Sequence, residues 1–186
     1  MGLYTGLVAN LLFPLQETLK KHNTLAIRKA MEDSQWWSQE KLEQYRLERL
    51  RNLLVKVRNH VPYYRDCFAS LDFKPQSISS LADLNQLPLL TKTIIRAEGD
   101  RMKSEVAKGL ARFNTGGSSG EPLIFFIGTE RVSHDVAAKW RATRWWDVDI
   151  GDREIVVWGS PIELSAQDRL RHWRDRLMRT QLLPAF

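Results

Sequence analysis

The chain has 186 residues, 43% of them hydrophobic and 27% charged, which excludes a disordered polypeptide and allows a real buried core. A formal net charge of +6 is compatible with an anionic partner, whether a phosphate-bearing small molecule, nucleic acid or a lipid surface, but is also common in proteins that bind none of them. Cys67 is the single cysteine, so no internal disulfide forms, an oxidising compartment has no support, and a cytoplasmic setting is expected. Beside Phe68 it reads as a small packed residue and not a nucleophile. His22, His60, His134 and His172 are too scattered for metal-ligand spacing, and no structural metal is expected.

The apolar run from Leu3 to Phe13 has no basic residue in front of it and is expected to break at Pro14. It is far shorter than the roughly 20 residues of a membrane span, and it lacks the flanks of a secretory signal. An amphipathic helix packed on the body is the expectation. Transient membrane contact through Leu7, Leu11 and Phe13, with Lys20 and Lys21 at lipid phosphates, is the disfavoured alternative.

Thr24 reads as the cap of a short helix through Met31, and Ser38 as the cap of a long one with Glu40 in its first turn. Leu42, Tyr45, Leu50, Leu53, Leu54 and Val57 recur at helical spacing and form its expected buried stripe. Arg46, Arg49, Arg51, Lys56 and Arg58 lie off it, interleaved with Glu43 and Glu48, as on a solvated face. Pro62 stops that helix and can open the next. Ser80 with Asp83 has capping-box spacing, and Thr91 is placed to cap a helix through Arg96.

The pattern changes near residue 110. "LARFN" and "LIFFIG" read as strands, Thr129 to Trp146 as a helix with Val132, Val136 and Trp140 on one face, and "EIVVWGS" as a buried strand. Ser165 and Asp168 would cap a final helix carrying Leu170, Trp173 and Leu177 inward. The expected fold class is α/β, a helical layer over residues 1–110 followed by the start of a sheet domain over 111–186. The tryptophan pairs Trp36–Trp37 and Trp145–Trp146 are expected to serve core and subdomain packing in preference to stacking on bases or an aryl substrate. Arg169, Arg171, Arg174, Arg176 and Arg179 make the last helix basic, but Asp168 and Asp175 dilute it and no nucleic-acid motif accompanies it, so nucleic acid is not an expected partner.

Between the two strands lies "TGGSSGEP", Thr115 to Pro122, eight residues where hairpin connections commonly take about two to five. Gly-Ser clusters between strands are usually turns, and a linker would have polar flanks, not these apolar ones. Gly116, Gly117 and Gly120 can turn successive N–H groups into one concavity that suits an anion, and their missing Cβ atoms admit a polyphosphate. The hydroxyls of Thr115, Ser118 and Ser119 add donors. It is not the nucleotide-binding P-loop, which needs a lysine and a following helix.

This loop resembles the signature of the adenylate-forming superfamily, roughly [ST]-[SG]-G-[ST]-[ST]-G-x-P. The chain is similar more specifically to the phenylacetate–CoA ligase-like branch, with its capsular-polysaccharide biosynthesis members. "SQWWSQEKLEQYRLERLRNLLVKVRNHVPYYRDCF" and "LADLNQLPLLTKTIIR" resemble that branch in the same order along the chain, over residues 34 to 186. The resemblance implies ATP-dependent activation of a carboxylate to an acyl-adenylate, with Mg²⁺ on the phosphates, then transfer to a thiol such as coenzyme A. Thr115, Gly116, Gly117, Ser118, Ser119, Gly120 and Glu121 would form the binding loop for the β- and γ-phosphates.

Glu121 stands where the family usually has lysine. A carboxylate about 6 Å from a phosphate costs about 1–3 kcal/mol, so Glu121 is expected to turn outward. The family's later pieces, namely its adenine-, ribose- and metal-binding segments and its lid with the catalytic lysine, are not found before Phe186. The sheet domain is therefore expected to be incomplete, an amino-terminal portion unable to finish adenylation alone. A non-catalytic anion-binding or scaffold module, or a polyanion-binding basic surface, are the alternatives.

Overall fold

The computed structural model describes residues 2–115, 122–158 and 167–184. Contacts divide the chain into two compact units, Ser34–Arg131 and Met1–Asp33 with Val132–Phe186. Helix gives way to strand at Ala111, inside the first of these units.

In Ser34–Arg131 the long helix α4 spans Gln39–His60. Ser38, in extended backbone, accepts the Lys41 N–H at 3.4 Å, the expected cap. The Glu40 carboxyl is held below its usual range by its own backbone N–H and, next, by the Ser38 hydroxyl. Val61 breaks the helix and Pro62 opens α5 (Pro62–Ser70), where its missing N–H leaves no bond unmade. Two short 3₁₀ turns, Pro75–Ser77 and Leu81–Gln86, follow, the second closed by the Ser80–Asp83 capping box. Thr91 then caps α6 (Lys92–Glu98) through the Ile94 N–H.

The core here is Leu54, Phe68, Phe73 and Ile78, with Leu47, Leu50, Val57, Tyr64 and Cys67 packed against it. Phe68 and Phe73 meet at 4.9 Å between ring centres. Arg51 reaches in from the edge, its Nε donating to the Ile78 carbonyl at 2.7 Å. The buried stripe of α4 is centred on Leu47, Leu50, Leu54 and Val57, at steps of three and four. Leu53 and Tyr45 are exposed, a correction to the expected stripe: Leu53 falls at its edge and Tyr45 on another face. Cys67 packs as a small side chain, and burial pushes its thiol up, away from reactivity.

The other unit opens with α1 (Leu3–Leu7), a π turn (Val8–Leu12) and α2 (Phe13–Leu19), joined without a break. Pro14 ends the apolar run but not this helix. The Phe13 N–H bonds back to the Val8 carbonyl, and the widened turn sets Pro14 at the start of a fresh α segment. Helix α3 covers Thr24–Ser34. Thr24 is buried inside it and its hydroxyl donates to the Glu17 carboxylate, so it ties two helices together instead of capping one.

Helix α7 runs Thr129–Arg144, two residues short of the expected end, and Val132 is exposed on it. Phe13 packs edge-on to Trp140 at 4.8 Å, with Ala9, Val136, Ile150 and Met178 around them. Strand β3 (Glu154–Trp158) pairs in parallel with β4 (Thr180–Pro184), Glu154 opposite Thr180 and Trp158 opposite Pro184. Helix α8 (Gln167–Met178) makes the crossover, and β4 is an element the sequence reading lacks.

Two expectations fail here for one reason. Ile155 and Val157 on β3, and Trp173 and Leu177 on α8, are exposed instead of buried. Trp145 and Trp146, after α7, are exposed as well. A two-stranded sheet has too little surface to cover both of its faces, or both faces of the helix beside it. In the first unit Trp36 is likewise exposed, while Trp37 meets Tyr45 edge-on at 5.5 Å. Ser165 lies outside the described residues.

One glycine sets how closely this second core closes. Gly151 has φ +94°, and a Cβ there would stand 2.5 Å from the Cβ of fully buried Val8. Gly151→Ala therefore combines backbone strain with overpacking. It is expected to lower stability by about 2–4 kcal/mol, read as a drop in the urea midpoint.

Candidate functional site: a glycine–serine hairpin tip

The candidate loop sits on a β-hairpin. Strand β1 (Ala111–Asn114) and strand β2 (Ile124–Ile127) pair antiparallel, from Ala111 opposite Ile127 to Asn114 opposite Ile124. Phe113 and Phe125 stack across the pair with centroids 6.1 Å apart, and Lys103 sits 4.1 Å over the Phe126 ring.

Beyond the last strand pair two further bonds close the hairpin. The Thr115 N–H donates to the Leu123 carbonyl at 3.0 Å. The Leu123 N–H donates to the Thr115 hydroxyl oxygen at 2.9 Å. Thr115 thus uses its side chain where a regular ladder would use a backbone carbonyl, and its hydroxyl proton stays available for another acceptor. Its hydroxyl is part of the frame as well as a candidate donor, a double role that its place in the motif did not reveal.

Gly116, Gly117, Ser118, Ser119, Gly120 and Glu121 lie outside the described residues. What the structure fixes is their mounting: chain leaves at Thr115 and returns through Pro122 to Leu123, across a closed gap. Asn114, Thr115, Pro122 and Leu123 at that gap are uncharged, so Glu121 is the nearest charge in sequence to any anion held there.

The root of the hairpin is also held. The Tyr63 N–H donates to the Arg101 carbonyl at 3.0 Å, and the Glu105 N–H to the His60 carbonyl at 2.7 Å. Arg65 pairs with Glu105 at 2.5 Å, and Arg101 with both Asp66 and Glu98. These exposed ion pairs each add little, but together with the backbone bonds they tie the lead-in to β1 onto the α4–α5 corner.

A second feature went unread in the sequence. In the unit that contains α7, a cavity of about 260 Å³ is lined by Phe13, Val136, Trp140, Ile150 and Met178, with the Lys139–Glu154 ion pair at 2.5 Å on its wall. Its lining comes from five elements and the turn before β3, so no local motif announces it. Buried Asp149 orders that turn, accepting from Trp140 Nε1 and from the Ile150 N–H at 2.8 Å. Asp152 accepts the Asp149 N–H and the Thr5 hydroxyl, and these two bonds, the first foremost, hold its carboxyl below the usual range. Among the described residues no group of three or more His, Cys, Asp or Glu is placed to hold a metal ion, and no helix is long and apolar enough to cross a membrane.

The helices, the β1–β2 hairpin and the parallel β3–α8–β4 unit follow one another in an order that solved structures share. The chain superimposes on a 2-hydroxyisobutyryl-CoA ligase in the postadenylation state with R3-HIB-AMP, at TM-score 0.58 and 19% identity, over 80% of this chain and 32% of the ligase. The same ligase with 2-HIB-AMP gives TM-score 0.57 and 20% identity, over 78% of this chain and 31% of the ligase. In sequence it is similar to protein CapK of Staphylococcus aureus, 25% identical over 142 residues, or 76% of this chain and 31% of CapK. The chain therefore spans about a third of the length of the proteins it matches. No family model matches it.

The Thr115 frame can be tested without a ligand. Thr115→Val removes the acceptor for the Leu123 N–H and is expected to speed that amide's hydrogen exchange about fivefold, whereas Thr115→Ser leaves it unchanged. Equal exchange in all three proteins would mean that the side chain does not hold the gap.

Proposed function

We propose that this chain supplies the phosphate-binding amino-terminal part of an ATP-dependent, carboxylate-activating ligase. In this reading Gly116, Gly117 and Gly120 donate backbone N–H groups to the β- and γ-phosphates, and the hydroxyls of Ser118, Ser119 and Thr115 complete the cradle. The observation that carries it is the hairpin mounting, a glycine–serine tip with both ends pinned, in a chain with the fold of adenylate-forming ligases.

Such a loop works by position. Fixed donors hold the leaving pyrophosphate so that the α-phosphorus faces the incoming carboxylate, and little reorganisation is left for the moment of reaction. Mg²⁺ enters the proposal as a counter-ion on phosphate oxygens. No metal ligand is assigned to this chain, because the described residues gather none. Coenzyme A is the proposed acyl acceptor of the complete reaction, a step for which no residue is assigned here. Glu121 tempers affinity, since a carboxylate beside the phosphates carries a repulsive cost that a lysine would not.

Isothermal titration of the chain with Mg-ATP tests this reading. The double variant Ser118→Ala with Ser119→Ala is expected to bind about tenfold or more weakly, and Glu121→Lys several-fold more tightly. Binding that the serine variant leaves unchanged would make the loop a connector only. Salt-steep binding of any polyanion, insensitive to the serines, would move the function to the basic surface.

A further inference from the structure

Helix α1, the π turn and α2 bury one face and leave leucines on the other. Leu3, Leu7, Leu11, Leu15 and Leu19 are 99%, 45%, 57%, 56% and 76% exposed. Residues four apart overrun a turn of α-helix by about 40°, so such a series should wind around the helix. The π turn at Val8–Leu12 takes more residues per turn, and a four-residue step there falls short of a full circle. The shortfall offsets part of the overrun and keeps the stripe toward one side.

Charge selects the occupant. Glu17 is the one acidic residue between positions 1 and 31, and it is buried, accepting from Thr24 and lying 3.2 Å from His22. Lys20 and Lys21 are exposed at the end of the stripe. At its other end the Tyr4 hydroxyl donates to the Leu177 carbonyl at 2.9 Å, and Arg179 lies 4.5 Å over the Tyr4 ring. That contact brings up α8, on which Trp173, Arg176 and Leu177 are exposed. Partial burial and, next, repulsion from Arg174 hold the Lys20 ammonium below its usual range, a repulsion that an anionic surface would relieve.

We propose that this leucine face docks on an anionic phospholipid bilayer. The helix would lie in the interface plane, with its leucines about 5–10 Å into the headgroup–acyl boundary and its lysines at lipid phosphates. A second copy of the chain fits less well, since two such stripes would bring together basic ends with no exposed acid to pair them. Surface docking needs no membrane span and does not rest on the proposed ligase reaction.

Flotation with phosphatidylcholine vesicles containing about a third phosphatidylglycerol, against phosphatidylcholine alone, tests the proposal. The chain is expected to float with the anionic vesicles only, and to be released by salt. Leu7→Gln, Leu11→Gln and Leu15→Gln together should weaken flotation at least tenfold, with helix content unchanged by circular dichroism. Lys20→Glu with Lys21→Glu, on exposed positions, should weaken it several-fold and decides the matter if the leucine variant does not fold. Failure to float, or flotation that the lysine variant leaves unchanged, would overturn the proposal. So would a dimer that the leucine variant splits into monomers without any vesicle binding.

Discussion

Two hydrogen bonds between Thr115 and Leu123 decide what the glycine–serine stretch can be. Free glycines sample many conformations, and a phosphate that had to order all of them would lose much of its binding energy to chain entropy. With both ends fixed, the number of loop conformations falls before any ligand arrives. The aromatic pair Phe113–Phe125 stiffens the strands below, and the Arg101–Glu105 lead-in is tied to the α4–α5 corner. The chemistry proposed for the tip depends on this frame, because positioned donors act only as well as their mounting holds them.

Charge sets the other limit. A cradle of N–H groups and hydroxyls is electrically mild, and families of this kind usually add a lysine. Here the corresponding position is Glu121, and the residues at the gap are neutral. In the proposed reading the loop would rely on backbone dipoles and on whatever cation accompanies the phosphates. Coulomb repulsion of about 1–3 kcal/mol against a charged hydrogen bond of about 1.5–3 kcal/mol leaves a narrow margin, which makes the affinity sensitive to the direction in which Glu121 points.

What could be read from the sequence was what a few neighbouring residues determine. Ser38, Thr91 and the Ser80–Asp83 box cap their helices as expected, since a cap needs only a side chain and an N–H three residues on. The strands flanking the loop were legible from aromatic and β-branched composition. The parallel partner of β3 was not, because Thr180–Pro184 meets it only after a helical crossover. The π turn before Pro14 was not legible for a similar reason, being a property of the whole helix. Inward faces for Ile155, Trp173 and Leu177 assumed further layers that the described residues do not supply. At the candidate site, the residue types pointed to phosphate, but Thr115 as a latch and the cavity beside Trp140 required distant contacts.

The most direct test of the phosphate cradle is a ¹⁵N–¹H correlation spectrum recorded while Mg-ATP is added. The account predicts that the largest shifts fall on the amides of Gly116, Gly117 and Gly120, with the Leu123 amide remaining protected throughout. Shifts confined to the arginines of α8, or glycine amides that do not move at saturating nucleotide, would contradict it.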